Sequence, residues 1–164
     1  MMDEEQRLAT LHGNGLLDTQ PEEKFDDVVR RAAKRFGVPV ALISLVDADR
    51  QWFKAKIGLD QSETPRSMAF CAYAIEGDDV MVVSDATADD RFADNPMVTG
   101  DPSIRFYAGA PIVAHDGSKL GTVCVIDRRT RAGFDEEERA DLIAFSREVS
   151  QIAASRRIEA DERT

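Results

Sequence analysis

Two apolar runs near the end of the chain, joined by an Asp-Gly step, constrain its fold more than any other feature. The first is Arg105-Phe106-Tyr107-Ala108-Gly109-Ala110-Pro111-Ile112. It leads through His115-Asp116-Gly117 into Leu120-Gly121-Thr122-Val123-Cys124-Val125-Ile126-Asp127. Two such runs around Asp-Gly read as a β-hairpin, because both turn residues tolerate positive φ. One arm is rich in small residues and the other is β-forming throughout. Gly109 between two alanines could be taken for a phosphate loop, but inside a strand it marks close backbone packing.

The rest of the chain supplies partners for that hairpin. A short helix is expected over residues 4–11. Pro21 stands where a first helical position belongs, preset in φ and needing no N–H. Phe25, Val28, Val29, Ala32, Ala33 and Phe36 then recur at helical spacing as one apolar stripe. Gly37 supplies a left-handed cap and Pro39 a stop. Residues 40–47 are too short and too uniformly apolar for a surface helix, so they read as a central strand covered on both faces. Ala48-Asp49-Arg50 turns the chain into a second strand over residues 51–58. A helix is expected around residues 67–75 and a short strand at 80–84. Residues 85–105, rich in Asp, Asn, Pro and Gly, read as an irregular and functional segment. Asp135 and Glu138 have capping-box spacing ahead of a last helix, residues 136–157, whose Leu142, Phe145, Val149 and Ile152 form a narrow apolar seam.

This order predicts an α+β fold. A central antiparallel sheet of five to six strands carries the terminal helices on one face and an irregular helix-loop lid, residues 59–105, on the other. An irregular cover fills a core poorly and encloses a pocket well. The expected organisation is an N-terminal lead-in at residues 1–19, one domain at 20–157 and a polar tail at 158–164. The 164 residues suffice for a single core.

Charge and composition exclude several functions. A formal net charge of −10 argues against nucleic acid and against anionic membranes. The longest nearly unbroken apolar run, residues 38–46, is far below the ~20 residues that span a bilayer. The acidic start, Met1-Met2-Asp3-Glu4-Glu5, is no secretory signal, so a cytoplasmic address is expected. Cys71 and Cys124 form no Cys-x-x-Cys pair or Cys/His cluster. No metal or cofactor is therefore expected, and both thiols read as buried small hydrophobes. The sequence contains no Gly-x-Ser-x-Gly, His-Glu-x-x-His or Walker motif, and neither His12 nor His115 has a neighbour that would orient it as a base.

Several segments in register resemble the GAF domain family, over roughly residues 20–155. They are Ser44-Leu45-Val46-Asp47, Arg50-Gln51-Trp52-Phe53-Lys54, Phe70-Cys71-Ala72, Asp85-Ala86-Thr87, residues 89–96, and both arms of the terminal hairpin. They look like the bacterial subgroup found beside histidine kinase or diguanylate cyclase domains. The resemblance implies a small-molecule sensor domain passing its signal to an output partner of that kind. GAF domains bind cyclic nucleotides, bilins, haem or amino acids. The Asn-Lys-Phe-Asp-Glu pattern of the cyclic-nucleotide binders is missing here, Cys71 has no adjacent histidine for bilin attachment, and no histidine is placed to ligate haem.

The expected ligand, an unidentified small molecule, would lie between the sheet and residues 59–105. Candidate walls are Trp52, Phe53, Phe70, Phe92 and Tyr107, with Cys71 beside them. Candidate polar contacts are Arg66, Asp85, Asp89, Arg91, Asn95, Arg105 and Asp127. Two alternatives stand beside this reading. One is a ligand-free interaction module, a homodimer through its terminal helices and the Leu142–Ile152 seam. The other is a thiol enzyme resembling the GAF-fold reductases of free methionine sulfoxide. Residues 85–105 hold no cysteine and Val125 stands where a second acid would be expected, so the pair that would complete turnover is missing.

Overall fold

The computed structural model describes residues 3–100 and 103–162. Its centre is β1 (Val40–Val46), buried at every position. This strand lies between β2 (Arg50–Ile57) and β6 (Lys119–Asp127). With β3 (Glu63–Pro65), β4 (Met81–Val83) and β5 (Phe106–Val113) they form one six-stranded antiparallel sheet in the order β3-β2-β1-β6-β5-β4.

Alternation along β1 builds two cores. Ala41, Ile43 and Leu45 face α2 (Glu23–Phe36) and α5 (Glu136–Glu162), joining Phe25, Val28 and Val29 of the first and Leu142, Val149 and Ala153 of the second. Val40 and Leu42 face the opposite way, toward α3 (Phe70–Ala74), α4 (Pro96–Thr99) and the loops between them. The segment expected as one helix around residues 67–75 is broken. A 3-10 turn at Arg66–Met68 ends in an extended Ala69, with φ −86° and ψ 121°, before α3 begins.

The helix ends follow local chemistry. Gly37 stops α2 at φ 63°, its N–H donating to the Ala33 carbonyl. The capping box of α5 is complete: the Asp135 N–H donates to Glu138 at 3.1 Å and the Glu138 N–H to Asp135 at 2.8 Å. Pro21 lies two residues before the first helical position of α2, not in it, and Glu22 takes the cap place. The proposed dimer seam is intramolecular. Leu142 and Val149 are buried against the chain's own sheet, and Phe145 and Ile152 pack on the same core. The helical backbone of α5 runs on to Glu162 through most of the stretch expected as a tail; residues 163–164 lie outside the described ones.

In the β5–β6 turn only Gly117 is left-handed, at φ 85°. The Ala114 N–H donates to the Ser118 carbonyl, and the pairing register shifts after Ile112. A second irregularity lies in β2. Ser44 pairs with Phe53 and Ile43 with Ala55, which leaves Lys54 as the extra residue of a bulge. Trp52 and Ala55, three positions apart, consequently share the helical core. Lys54 is fully buried. Its Nζ donates to Thr19 Oγ1 and the Gln20 carbonyl, each at 2.7 Å, and pairs with Glu22 at 2.5 Å, fixing the connection into α2.

The first helix, α1 (Glu4–Gly13), crosses the end of the sheet where the β1–β2 and β5–β6 turns lie. Leu11 anchors it in the helical core, the partly buried Leu8 packs beside it, and polar groups add to the hold. Thr10 and Gln6 donate to Asp116 at 2.6 and 3.1 Å. His12 bonds Asp47 at 2.8 Å, and Asp47 in turn bonds Arg50 at 3.0 Å. Glu4 takes two hydrogen bonds from the buried Arg7 and one from Arg66.

Two outcomes follow from this architecture. At Gly121 a Cβ would stand 1.8 Å from the Ser44 carbonyl oxygen, a backbone atom that cannot step aside. Gly121→Ala should therefore lower the free energy of unfolding in urea by about 3 kcal/mol. The acid limb is set partly by Glu4 and Asp47. Bonds from Arg7 and then Arg66 outweigh burial and hold Glu4 near 2, against an ordinary 4.5. Burial alone would raise Asp47, but His12, the Ala48 N–H and Arg50 bring it to about 2. Both carboxyls bind protons more readily in the unfolded chain, so the stability they add is present above pH 4.5 and lost as pH falls toward 2. The urea midpoint should drop over that window, and less steeply in Glu4→Gln.

Candidate functional site

The face opposite α2 and α5 gathers the aromatic candidates. Phe70 on α3 and Phe92 in the following loop stack with centroids 4.0 Å apart and planes 6° from parallel. Tyr107 on β5 meets Phe70 at 5.2 Å, and the half-exposed Tyr73 sets its edge on Phe92 at 5.1 Å. Tyr107 lies flat along its own strand. A Cβ on Gly109 would come 2.3 Å from the phenol oxygen, so the glycine makes room for a side-chain ring; the close backbone packing expected at Gly109 is found instead at Gly121. Phe53 joins this core.

Beneath α3 lies a group of buried polar atoms. Alternate positions of β1, β2 and β6 deliver Ser44, Gln51, Thr122 and Cys124 to this face, and α3 brings Cys71 down onto them. The Cys71 thiol donates to Gln51 Oε1, and Gln51 Nε2 donates to Thr64 at 2.9 Å. Tyr107 and Thr122 share a long hydroxyl contact of 3.4 Å. Ser44 Oγ, with its residue fully buried, makes no well-formed hydrogen bond among the described residues; it lies beside the Cys71 and Cys124 thiols, both weak partners.

Every ionisable group in this cluster is neutral. Burial pushes the Cys71 thiol far above its ordinary range. The nearby Cys124 adds to that rise, while Ser44 opposes it weakly. Burial raises Cys124 to about 11 against the pull of Thr122, Ser44 and Tyr107. The Tyr107 phenol is raised by burial and by both thiols. Such thiols are poor nucleophiles. Among the described residues, no three His, Cys, Asp or Glu side chains stand close enough to hold a metal.

The expected polar contacts are engaged elsewhere, each in a local bond. Asp85 caps the turn at Ala86–Ala88 through the Thr87 N–H at 3.0 Å. Asp89 grips the Arg91 backbone and guanidinium at 2.8–3.0 Å. Asn95 caps α4 through the Met97 N–H and donates to the Met68 carbonyl at 3.1 Å, tying the loop to the turn before α3. Arg105 donates to the Val98 and Ile104 carbonyls, and Asp127 accepts from the Arg129 N–H. Five of these six shape the lid, Asp127 serves the turn after β6, and Arg66, the seventh, bonds Glu4 of α1; the structure does not bring them together. Trp52 is a correction. The strand alternation at Phe53 turns Trp52 to the helical core, away from the lid, and its edge lines a groove of about 600 Å³ between β2 and the start of α2.

Sequence reasoning misses three residues of the buried cluster, Ser44, Gln51 and Thr122, and takes Cys124 as a buried thiol without placing it at a site. A signal exists for two of them. Ser44 is the one hydroxyl in the apolar run of β1, and Thr122 stands directly opposite it on β6.

Comparison with known proteins gives a consistent answer. A family model described as the GAF domain matches residues 20–152. A cyclic di-GMP phosphodiesterase of Pseudomonas aeruginosa is 50% identical over 147 residues, which cover 90% of this chain and 25% of that protein. The chain thus spans about a quarter of that relative's length. Among solved structures, the GAF domain of a phosphoenolpyruvate-protein phosphotransferase from Coxiella burnetii superposes with a TM-score of 0.69 at 15% identity, covering 97% of this chain and 99% of that one. A type II free methionine-R-sulfoxide reductase from Thermoplasma acidophilum superposes with a TM-score of 0.65 at 13% identity, covering 80% and 91%. At such identities these two likenesses concern the fold alone.

The buried thiols yield a direct test. In native protein at pH 8, iodoacetamide should alkylate Cys71 and Cys124 at least about 100-fold more slowly than in urea-unfolded protein, as followed by peptide mass spectrometry.

Proposed function

The chain belongs to the GAF domain family, and we propose that it is a non-catalytic sensory module that binds a small molecule between the sheet and residues 59–105. The observation that carries this reading is the Ser44 hydroxyl, buried among Gln51, Cys71, Thr122 and Cys124 with no well-formed hydrogen bond and only two weakly accepting thiols beside it. An unsatisfied buried hydroxyl costs about 1–3 kcal/mol, and a ligand's polar atom would remove that cost. The aromatic rings above it supply the apolar enclosure that small-molecule sites need. Asp85, Asp89, Arg91, Asn95 and Arg105 act in this reading by shaping the cover rather than by forming the floor, and Asp127 by shaping the turn after β6.

The setting we propose is bacterial signalling in the cytoplasm. The relative with half its residues identical is a cyclic di-GMP phosphodiesterase about four times as long as the matched segment. That length supports an output domain in the same chain as the sensor, and an output in cyclic di-GMP turnover rather than a separate kinase. The reductase alternative has little support, since both thiols are buried and hydrogen-bonded or raised by their surroundings.

A second reading, a ligand-free interaction module, draws on the close Phe70–Phe92 stack, which already fills its own contact. A dimer in that reading has to use surfaces other than Leu142 and Val149, which the chain buries itself.

A thermal-shift screen against metabolite classes, backed by native mass spectrometry of protein purified from its host, separates the two. A ligand at ~100 times its dissociation constant should add ~2.7 kcal/mol of stability. Ser44→Ala should weaken that ligand while leaving the unliganded protein as stable or more so. No retained mass and no shift with any class would leave only the interaction module.

A further inference from the structure

We propose that α1 is a latch on the lid, held by Glu4 and Arg66, and that its docking reports the state of the site under residues 59–105. The proposal deepens the sensory reading and rests on it, naming the element through which that site is regulated.

The geometry is a three-residue clasp. Asp3 caps α1 by accepting the Glu5 and Gln6 N–H groups, which sets Glu4 at the helix start. One carboxylate oxygen of Glu4 takes a bond from Arg7 at 2.8 Å and another from Arg66 at 2.7 Å; its second oxygen takes Arg7 Nε at 2.9 Å. Arg7 is fully buried and also donates to the Lys119 carbonyl on β6 at 3.3 Å. The helix side of the clasp is therefore fixed to the sheet. The other side is the first residue of the 3-10 turn that leads into α3.

Arg66 is placed to feel both elements. Its guanidinium also donates to the Asp47 carbonyl at 3.1 Å, and the Asp47 carboxylate holds His12 at the far end of α1. Its backbone N–H donates to the Asp49 carbonyl. On the inner side, its charge reaches the buried Cys71 thiol. Four residues separate Arg66 from Cys71, and the extended Ala69 among them is the only break. A shift of α3 that makes room for a ligand thus pulls on the residue that holds α1. The apolar hold on α1 is light, with Leu11 its one fully buried apolar side chain. The partly buried Leu8, the clasp and the Asp116 and Asp47 bonds complete the hold that undocking has to break.

Coupling of this kind is reciprocal, so each side can be disturbed and the other read, in the ligand-free protein. Glu4→Gln alters the helix side and Arg66→Met the lid side. Alkylation of Cys71 by iodoacetamide reports opening of α3. Alkylation of Cys124, in the middle of β6, reports global unfolding in the same sample. Hydrogen exchange over residues 4–13 reports the helix. The expected result is a fivefold or greater rise in the Cys71 rate for Glu4→Gln, with the Cys124 rate unchanged, and faster exchange over residues 4–13 for Arg66→Met. The latch is overturned if Cys71 is unaffected by Glu4→Gln, if the helix is unaffected by Arg66→Met, or if Cys71 and Cys124 accelerate together. Because no ligand enters these measurements, their failure is distinct from the failure of a ligand screen.

Discussion

β1 feeds two cores at once, and the rest of the molecule depends on that double burial. A one-residue slip turns every side chain of a strand to the other face, so in β1 it would exchange the residues that fill the two cores and disrupt the packing of both at once. Ala41, Ile43 and Leu45 commit one face to the two long helices; Val40, Leu42 and Ser44 commit the other to the lid. Gly121 reinforces the arrangement. Its missing side chain lets β6 close on β1 until the Ser44 carbonyl occupies the place of a Cβ. The same contact that locks the sheet also sets the depth at which Ser44, Thr122 and Cys124 sit. Fold and candidate site are in this sense one construction.

The sheet was legible because its strands are short, apolar and punctuated by turn residues. The capping box at Asp135 and Glu138 and the left-handed Gly37 were legible for the same reason: each is a local device with one dominant geometry. Trp52 was not. Trp52 and Phe53 alternate, so only one of them faces the lid, and the pairing of Leu45 with Trp52 and Ser44 with Phe53 decides which. The bulge at Lys54, whose ammonium bonds Thr19, Gln20 and Glu22 more than thirty residues upstream, then returns Ala55 to the helical face. No window along the sequence contains that information. The start of α2 is a milder case, where Pro21 fits two adjacent roles and Glu22, bonded to Lys54 and Arg156, selects one.

The lid shows why residue type alone misplaces a site. Asp, Asn and Arg in an irregular segment look like ligand contacts, yet the same residues are those that turns and short helices need. Asp85, Asp89 and Asn95 serve the backbone around them, and Arg105 closes on two carbonyls. The hydrophilic atoms that lie under the cover come from the strands, where their neighbours are apolar and hide them. A lone hydroxyl in a run such as residues 40–46 is the better signal. Burying it demands a partner, and a partnerless one demands a reason.

Charge completes the picture. The buried cluster is neutral throughout, with Cys71, Cys124 and Tyr107 all held in their protonated forms. The nearby guanidiniums are committed, Arg91 to Asp89, Arg105 to main-chain carbonyls, and Arg66 to Glu4 and Asp47. A neutral guest would meet groups that match it and leave those pairs intact. An anion would be buried without a countercharge unless an arginine moved, because an unpaired charge in such surroundings is far costlier than an unpaired hydroxyl. Arg66 is the guanidinium whose field already reaches Cys71, and moving it means releasing Glu4. For a charged guest, its accommodation and the docking of the first helix would therefore be two sides of one electrostatic condition, set by a single carboxylate shared between two arginines.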